Sequence, residues 1–494
     1  MKLEKLIQNL PGMIRCIGDQ NVDVDSLCMD SRKAAPGAMF FCIPGLTRDA
    51  HDFAPQAVGK GASALVVERE LPLDCPQVLV RDAREAVSYI AATFYGHPAK
   101  ELTLIGITGT KGKTTTSFLV KSILEQMDFR VGLIGTVGSM IGDRQIPSTL
   151  TTPDPVDFQK LLRDMADAGC THVVMEVSAH ALALKKLVGV KFAVAGFTNL
   201  SQDHFDFFHD MEHYQQTKML LFTPEFTDKM VINADDERVR EGFEAAGLNP
   251  VLTGISYPSD FYAKDIEVNE RGSSFRIGYH KQFRMDIALQ LSGIFNVYNS
   301  LMAAALCRQV GATPEAIERG LEAVRFVPGR IELLETDTPY RVILDYAHSP
   351  DSLENILNAV RGTTRKRMIA LFGCGGDRDR EKRPIMGEIG GRLADFCILT
   401  SDNPRGEDPM AILAQIEAGI RGTRCEYIVI ENRREAIRYA LCHALPGDVI
   451  VLAGKGHETY QEIAGVKHPF DEKIVVRELL SEIHESAALN EAGR

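Results

Sequence analysis

Short apolar runs, separated by stretches of helical spacing, recur along the whole chain and set out its organisation. In the first part, Ala38 to Ile43, Ala64 to Val67 and Val78 to Val80 read as strands, and Arg84 to Tyr95 reads as a helix. His97-Pro98-Ala99-Lys100 follows as a linker. Beyond it, Leu104, Ile105 and Ile107 open a buried strand. Further runs at Val131 to Ile134, Val173 to Val177, Ala193 to Thr198 and Lys229 to Ile232 alternate with helical patterns. Alternation at this spacing makes βαβ units and a mostly parallel sheet. After Phe326-Val327-Pro328-Gly329-Arg330 a third series begins, with runs at Arg341 to Asp345, Met368 to Phe372, Phe396 to Thr400 and Asp448 to Leu452. Each runs into a loop rich in Gly, Asp, Asn, Arg or His. Ligands of open α/β sheets bind beyond the carboxyl ends of the strands, so these loops predict a second half-site facing the first. With 494 residues the chain is too long for one core. The pattern predicts an α/β protein of three domains, at 1–98, 99–329 and 330–494.

The most informative junction is Leu104 to Phe118. The strand breaks into Gly109-Thr110-Lys111-Gly112-Lys113-Thr114-Thr115, and a helical pattern of Phe118, Leu119, Val120, Ile123 and Leu124 follows. Strand, glycine-rich loop and helix N-terminus form a phosphate cradle. Backbone N–H groups and the helix dipole face the anion, and Lys113 adds a point charge. Thr114 brings a hydroxyl of the kind that ligates Mg²⁺. The spacing is not the strict G-x-x-x-x-G-K-[ST], because Ile107 stands five residues before Gly112. A GTPase or a common ATPase fits the strict form; this variant points elsewhere among proteins that handle ATP. The competing reading is a glycine-rich turn that binds nothing, and the Lys-Thr ending weighs against it.

Composition narrows the partners. A net charge of −12 leaves no basic surplus to neutralise nucleic-acid phosphates, so substrate anions must be met by local Arg and Lys clusters. The opening MKLEKLIQNLPGM lacks a long apolar core, and the sequence has no run of eighteen apolar residues, so stable membrane insertion is not expected. The ten cysteines are scattered singly without C-x-x-C. That pattern suits a reducing, cytoplasmic setting with buried thiols better than disulfides or zinc.

Other strand ends carry candidate chemistry. Glu176 ends the apolar run Val173 to Val177, where a carboxylate is costly unless paired or on a metal; a solvated strand-end Glu is the plain alternative. The next strand runs into Thr198-Asn199-Leu200-Ser201-Gln202-Asp203-His204, and a helix follows with Tyr214 and Lys218. Thr114, Glu176 and His204 thus come to one sheet edge. Magnesium prefers oxygen ligands, so an imidazole is a weak signal alone. By spacing alone, Lys218 reads as a solvated surface lysine.

Taken in order, the motifs resemble those of the Mur ligases, the ATP-dependent amide ligases that build the peptidoglycan precursor. The resemblance is strongest to the branch that adds meso-2,6-diaminopimelate to UDP-N-acetylmuramoyl-L-alanyl-D-glutamate. It rests on Asp30-Ser31-Arg32, Gly109 to Thr115, Thr151-Thr152-Pro153, Glu176-Val177-Ser178, Asp203-His204 and Tyr214-x-x-x-Lys218-x-x-Leu221-Phe222. It continues through Asn296-x-x-Asn299, Pro328-Gly329-Arg330, Asp345-Tyr346-Ala347-His348 and Gly375-Gly376-Asp377-Arg378. It ends with Asp402-Asn403-Pro404-Arg405 and Gly454-Lys455-Gly456-His457-Glu458.

The resemblance implies a three-domain architecture, with a central P-loop-type, mostly parallel sheet and a Rossmann-like C-terminal domain. Residues 1–98 would bind the UDP-substrate, 99–329 ATP, and 330–494 the incoming amino acid. ATP would activate a carboxylate as an acyl phosphate, which an amine then attacks. Gly109, Thr110, Lys111, Gly112, Lys113, Thr114 and Thr115 would hold the phosphates. Asn296 and Asn299 would flank the adenine, and Arg330, Asp345 and His348 would complete the site. Lys113, Glu176, His204 and Lys218 would be catalytic. Thr114, Glu176, His204 and Lys218 would hold Mg²⁺, with Lys218 carbamylated: a neutral amine that adds CO₂ replaces a cation with an anion.

Ser31, Thr151, Thr152, Ser178 and Lys186 match positions for the UDP-muramoyl dipeptide. Ala179 stands where the family has a second Ser, and Lys186 where Arg is usual, which weakens a bidentate contact there. Arg405, in Asp402-Asn403-Pro404-Arg405, would pair with the distal carboxylate of diaminopimelate, supported by Arg378, while Gly454 and Glu458 would meet the distal ammonium. Asn-Pro-Arg-Gly is also a good turn sequence. The implied partners are small molecules, acted on by a monomer. The alternatives are a lysine-adding or folylpolyglutamate-type ligase and, from another class, a nucleotide-dependent switch or kinase.

Overall fold

The computed structural model describes residues 1–45, 48–146, 148, 150–269, 272–280 and 283–492. Among them lie three multistranded sheets and one two-stranded hairpin, and each sheet draws on a separate stretch of the chain. The first has the order Met13–Ile17, Gln77–Val80, Ala64–Val67, Ala38–Phe41, Ser26–Cys28, parallel except at the Met13–Ile17 edge. The predicted strand from Ala38 stops at Phe41. The two edge strands are not legible as apolar runs, because they are partly exposed and carry polar residues such as Arg15 and Ser26.

The central sheet has a parallel core in the order Val251–Gly254, Met230–Asn233, Val194–Phe197, Thr103–Thr108, His172–Glu176, Val131–Gly135. This order puts the phosphate-loop strand between the two other strands that end in candidate ligands. Ile107 pairs with Glu176 on one side, and Thr108 with Phe197 on the other. All three loops therefore leave the sheet at the same level. The sheet is longer than expected at both edges. Phe261–Asn269 adds one more parallel strand beside Val251–Gly254, Gly272–Tyr279 and Phe283–Leu289 continue antiparallel from it, and Gly138–Ile141 and Arg144–Ile146 are antiparallel at the other edge. Gly272–Tyr279 alternates in burial over Ser273 to Ile277, and Phe261–Asn269 is largely exposed beyond Ala263, so neither gives a continuous apolar run. The phosphate-loop helix Lys113–Glu125 is held against the sheet and the helix Ile294–Gln309 by Leu119, Val120, Ile123, Val297 and Leu301. Burial of this kind, at about 25 cal/mol per Å² of apolar surface, fixes the loop's position.

The third sheet runs Glu332–Leu334, Arg341–Asp345, Val449–Ala453, Met368–Phe372, Phe396–Leu399, Glu426–Val429, parallel except at its first edge. Separate apolar clusters cover its two faces, one with Leu353, Met386 and Ile416, the other with Ile437, Val476 and Leu479. That is the doubly covered, Rossmann-like arrangement of a buried parallel sheet. The hairpin Tyr460–Ile463 and Val466–Pro469 follows its last strand.

Candidate active site

The phosphate loop depends on two glycines. Gly109 has φ +138° and Gly112 φ +82°, the region that favours glycine. A Cβ at Gly109 would stand 2.0 Å from Thr198 Oγ1, and one at Gly112 2.4 Å from Asn299 Oδ1. The loop is clamped from the neighbouring strand end: Lys111 N donates to Asn199 Oδ1 (2.9 Å), and Thr198 Oγ1 donates to the Lys111 carbonyl (2.6 Å).

A cleft of about 680 Å³ opens above the loop. Thr110 to Thr115, Thr151, Glu176, Ser178, His204, Asn296, Asn299, Arg330, Asp345 and His348 all line it. Two series of strand ends thus meet at one cavity. Arg330 Nη2 donates to Thr114 Oγ1 (3.3 Å), and Lys111 Nζ lies 3.3 Å from Asp351 Oδ2. Arg330 Nε is buried without a hydrogen-bond partner in the structure, which suits a cleft that receives an anion. His457 joins the same junction. Its imidazole faces the Thr136 carbonyl, and burial and Arg330 push it down to about 4.

Glu176 is 1% exposed, and its carboxylate accepts from Thr136 N (3.0 Å) and Thr136 Oγ1 (2.9 Å). It is a held carboxylate, not a solvated strand end. Among the described residues, no group of three or more His, Cys, Asp or Glu side chains could hold a metal by itself. One carboxylate beside a threonine hydroxyl and a phosphate loop still fits Mg²⁺, which commonly takes one or two protein carboxylates together with phosphate and water oxygens.

Lys218 is not the surface lysine that its spacing suggested. It is 1% exposed; its Nζ donates to the Gly109 carbonyl at 2.9 Å and lies 4.4 Å from the Tyr214 ring centroid. Lys113 Nζ donates to the same carbonyl at 2.8 Å and to that of Thr110 at 2.9 Å. Burial and then the neighbouring Lys113 bring the Lys218 amine well below the ordinary lysine range, with Asp203 opposing. His204 sits at φ +58°, with its ring 6.4 Å from that of Tyr214.

Several expected contacts are taken up internally. Thr152 Oγ1 donates to the Glu176 carbonyl and accepts from Ser178 N, so its hydroxyl sets the Glu176 turn. Lys186 pairs with Asp154 at 2.7 Å. Ser31 Oγ donates to Gln56 Oε1 and is not among the cleft-lining residues. Asn299 Nδ2 donates to Asn296 Oδ1 (3.1 Å). Asp345 accepts from Ile331 N and Ala347 N, and burial raises it above the usual carboxylate range against the pull of Arg330. His348 is lowered by burial.

The residues expected to meet the acceptor form a separate group at adjoining strand ends. Arg405 Nη1 donates to the Gly376 carbonyl at 3.0 Å. Glu458 Oε2 accepts from Asn403 Nδ2 (2.9 Å) and from Lys455 Nζ (3.2 Å), and Lys455 also lies 3.4 Å from Asp402. Gly454 has φ +116°, where a Cβ would stand 3.1 Å from Asp402 Oδ2. Pro404 ends this turn at its carbonyl, which accepts from Glu407 N. Arg378 is exposed and bonds the Asp377 carbonyl. Sequence reasoning named Asn199 and Asp203 at a strand end without giving them a role, and it missed Thr136 and Asp351; all four line the cleft.

Family models match in order: "Mur ligase family, catalytic domain" over residues 23–95, "Mur ligase middle domain" over 107–307, and "Mur ligase, glutamate ligase domain" over 329–456. The UDP-N-acetylmuramoyl-L-alanyl-D-glutamate–2,6-diaminopimelate ligase 1 of Clostridium acetobutylicum is 44% identical, covering 98% of this chain and 100% of that one. The like-named ligase of Caldanaerobacter subterraneus is 46% identical, covering 98% and 99%. A solved structure of a UDP-N-acetylmuramoyl-L-alanyl-D-glutamate–2,6-diaminopimelate ligase superposes with a TM-score of 0.68 at 31% identity, covering 98% and 99%. The MurF ligase of Thermotoga maritima, solved with ADP, shares the fold at a TM-score of 0.65 and 19% identity, covering 95% and 100%. With relatives of this identity along nearly its full length and the three family regions in order, the chain belongs to the Mur ligase family.

Proposed function

We propose that this chain is an ATP-dependent amide ligase that joins meso-2,6-diaminopimelate to UDP-N-acetylmuramoyl-L-alanyl-D-glutamate in cytoplasmic peptidoglycan-precursor synthesis, acting as a monomer through domains 1–98, 99–329 and 330–494. The observation that carries this reading is one cleft shared by two series of strand ends, with the Asp402 to Arg405 and Gly454 to Glu458 loops at the adjoining ends. The γ-phosphoryl group of ATP passes to the substrate carboxylate, giving an acyl phosphate and ADP. The acceptor amine then attacks the acyl carbon, and the tetrahedral intermediate releases phosphate. Lys113, Arg330 and the loop N–H groups neutralise the transferred phosphoryl group, the main catalytic contribution in such transfers. Bound Mg²⁺ would add positive charge there; Thr114, Glu176, His204 and a carbamylated Lys218 would hold it. Thr151, Ser178, Lys186 and Ser31 would meet the UDP-substrate, while Thr152 keeps Glu176 and Ser178 in place.

The test is ADP release with the UDP-muramoyl dipeptide, comparing diaminopimelate with lysine. Release is expected to require both the dipeptide and diaminopimelate. Comparable release with lysine would favour the lysine-adding branch, and release from ATP alone would favour a nucleotide switch.

A second outcome follows from the junction. The Lys111–Asp351 pair is partly exposed, at 25% and 42% for the two side chains, and such pairs contribute only about 0–1 kcal/mol. Contacts this weak leave closure to the ligands. A non-hydrolysable ATP analogue together with the UDP-dipeptide should reduce the radius of gyration in solution scattering. An unchanged radius with both bound would contradict ligand-driven closure.

A further inference from the structure

The function proposed above leaves the carboxylate of Glu462 without a role, although it stands against the residue expected to select the acceptor. Glu462 Oε2 lies 3.3 Å from Arg405 Nε, and the two side chains are only 25% and 22% exposed. The backbones are laced together as well. Arg405 N donates to the Glu462 carbonyl (3.0 Å), and Ala464 N donates to the Arg405 carbonyl (2.7 Å). Glu462 N donates to Asn403 Oδ1 (2.9 Å), and Gln461 Nε2 to the Asp402 carbonyl (2.7 Å). These bonds hold Arg405 at φ +50°, a conformation that L residues rarely adopt. The strand Tyr460–Ile463 is therefore a wall of the acceptor turn and not a peripheral hairpin.

A guanidinium carries five N–H donors in a rigid fork. Here the Glu462 carboxylate stands against the Nε side as an ion pair at 3.3 Å, and the Gly376 carbonyl takes one donor of Nη1. What remains is the end of the fork, made by Nη1 and Nη2, which meets a carboxylate with two parallel bonds. Without an acceptor at Nε, the side edge of the fork competes with the end, and the long side chain regains its rotamers. Glu458 is not an equivalent anchor, because Asn403 and Lys455 already hold it.

We propose that Glu462 is a positioning residue for acceptor selection: it fixes the Arg405 guanidinium so that the fork's end faces a carboxylate at the far end of the incoming amino acid. This rests on the diaminopimelate-adding reading above.

Steady-state kinetics on the full chain test it, with E462A, E462Q, E462D, R405A and R405A/E462A, at saturating ATP and UDP-dipeptide and with diaminopimelate or lysine varied. For E462A the KM for diaminopimelate should rise about three- to fivefold, the size expected for losing a partly exposed ion pair that orients the fork. Its kcat and its KM for ATP should stay within about twofold. E462Q, which keeps the length and an oxygen beside Nε but loses the charge, should recover part of the loss, and E462D, one methylene shorter, should recover less. In the R405A background, E462A should add nothing, because Glu462 acts through Arg405. An unchanged KM in E462A, or the same loss with and without Arg405, overturns the proposal. Should E462A fail to fold by thermal unfolding, the comparison of E462Q with E462D decides: equal KM values in the two overturn it. A wild-type chain that uses lysine as readily as diaminopimelate would overturn the specificity reading itself. A selective wild type with a KM unmoved by E462A overturns only the role of Glu462.

Discussion

Lys218→Ala should lower ligase turnover by about a hundredfold or more, the size seen when a preorganised charge-stabilising group is removed from an active site. Lys113 and Lys218 direct their ammonium groups at one carbonyl, that of Gly109. Two buried cations on a single acceptor repel each other, and Lys218, the one brought well below the lysine range, gives up its proton more readily. Were the neutral amine to add CO₂ with loss of one proton, the cation would become a carbamate anion beside the Lys113 cation, repulsion would turn into attraction, and an oxygen donor would stand beside the phosphate loop. Short carboxylates added to Lys218→Ala should restore part of the activity. In the wild type, isotope-labelled bicarbonate should give a protein-bound carbamate resonance that Lys218→Ala lacks. Full activity of the variant without any additive would remove Lys218 from the mechanism.

Arg405→Ala should cost about 2–5 kcal/mol in transition-state binding of diaminopimelate, because it leaves the distal carboxylate unpaired where a partly buried guanidinium, 22% exposed, would meet it. At about 1.4 kcal/mol per decade, that is roughly 30-fold or more in kcat/KM. Lysine has no distal carboxylate, so its slower turnover should hardly worsen and the preference should narrow. Arg405→Lys should recover only part, since a point charge cannot replace the fork. The structure adds a control to this experiment. Arg405 also bonds the Gly376 carbonyl and faces Glu462, so a loss of equal size with lysine would mean that the residue serves the turn or domain closure and not specificity.

The residues of the Gly109 to Thr115 cradle, the αβ alternation and the three sheet-forming stretches could be read directly, because each is a local pattern: an apolar run, a glycine-rich break, a helical period. The ordered motifs extended that reading to the family and the reaction. Glu176 was legible as a residue out of place in an apolar run. Lys218 was not, because a polar helix gives no sign of which face another loop will cover, and only the fold brings Gly109 over it. The edge strands beyond Val251–Gly254 and Val131–Gly135 were missed because their partly exposed residues form no apolar run to set beside the buried parallel core. Thr136, which holds Glu176, and Asp351, which meets Lys111, are distant in sequence from the residues they serve.

The sequence by itself determined which residues can do chemistry, since identity and spacing are enough for a phosphate loop, a strand-end carboxylate or an Asn-Pro-Arg turn. The tertiary structure alone decided which charges face one another: Lys113 with Lys218 on one carbonyl, and Arg405 with Glu462 across the hairpin. Electrostatic pairing depends on distance and burial, and both are set when sheet order and domain docking bring remote segments together.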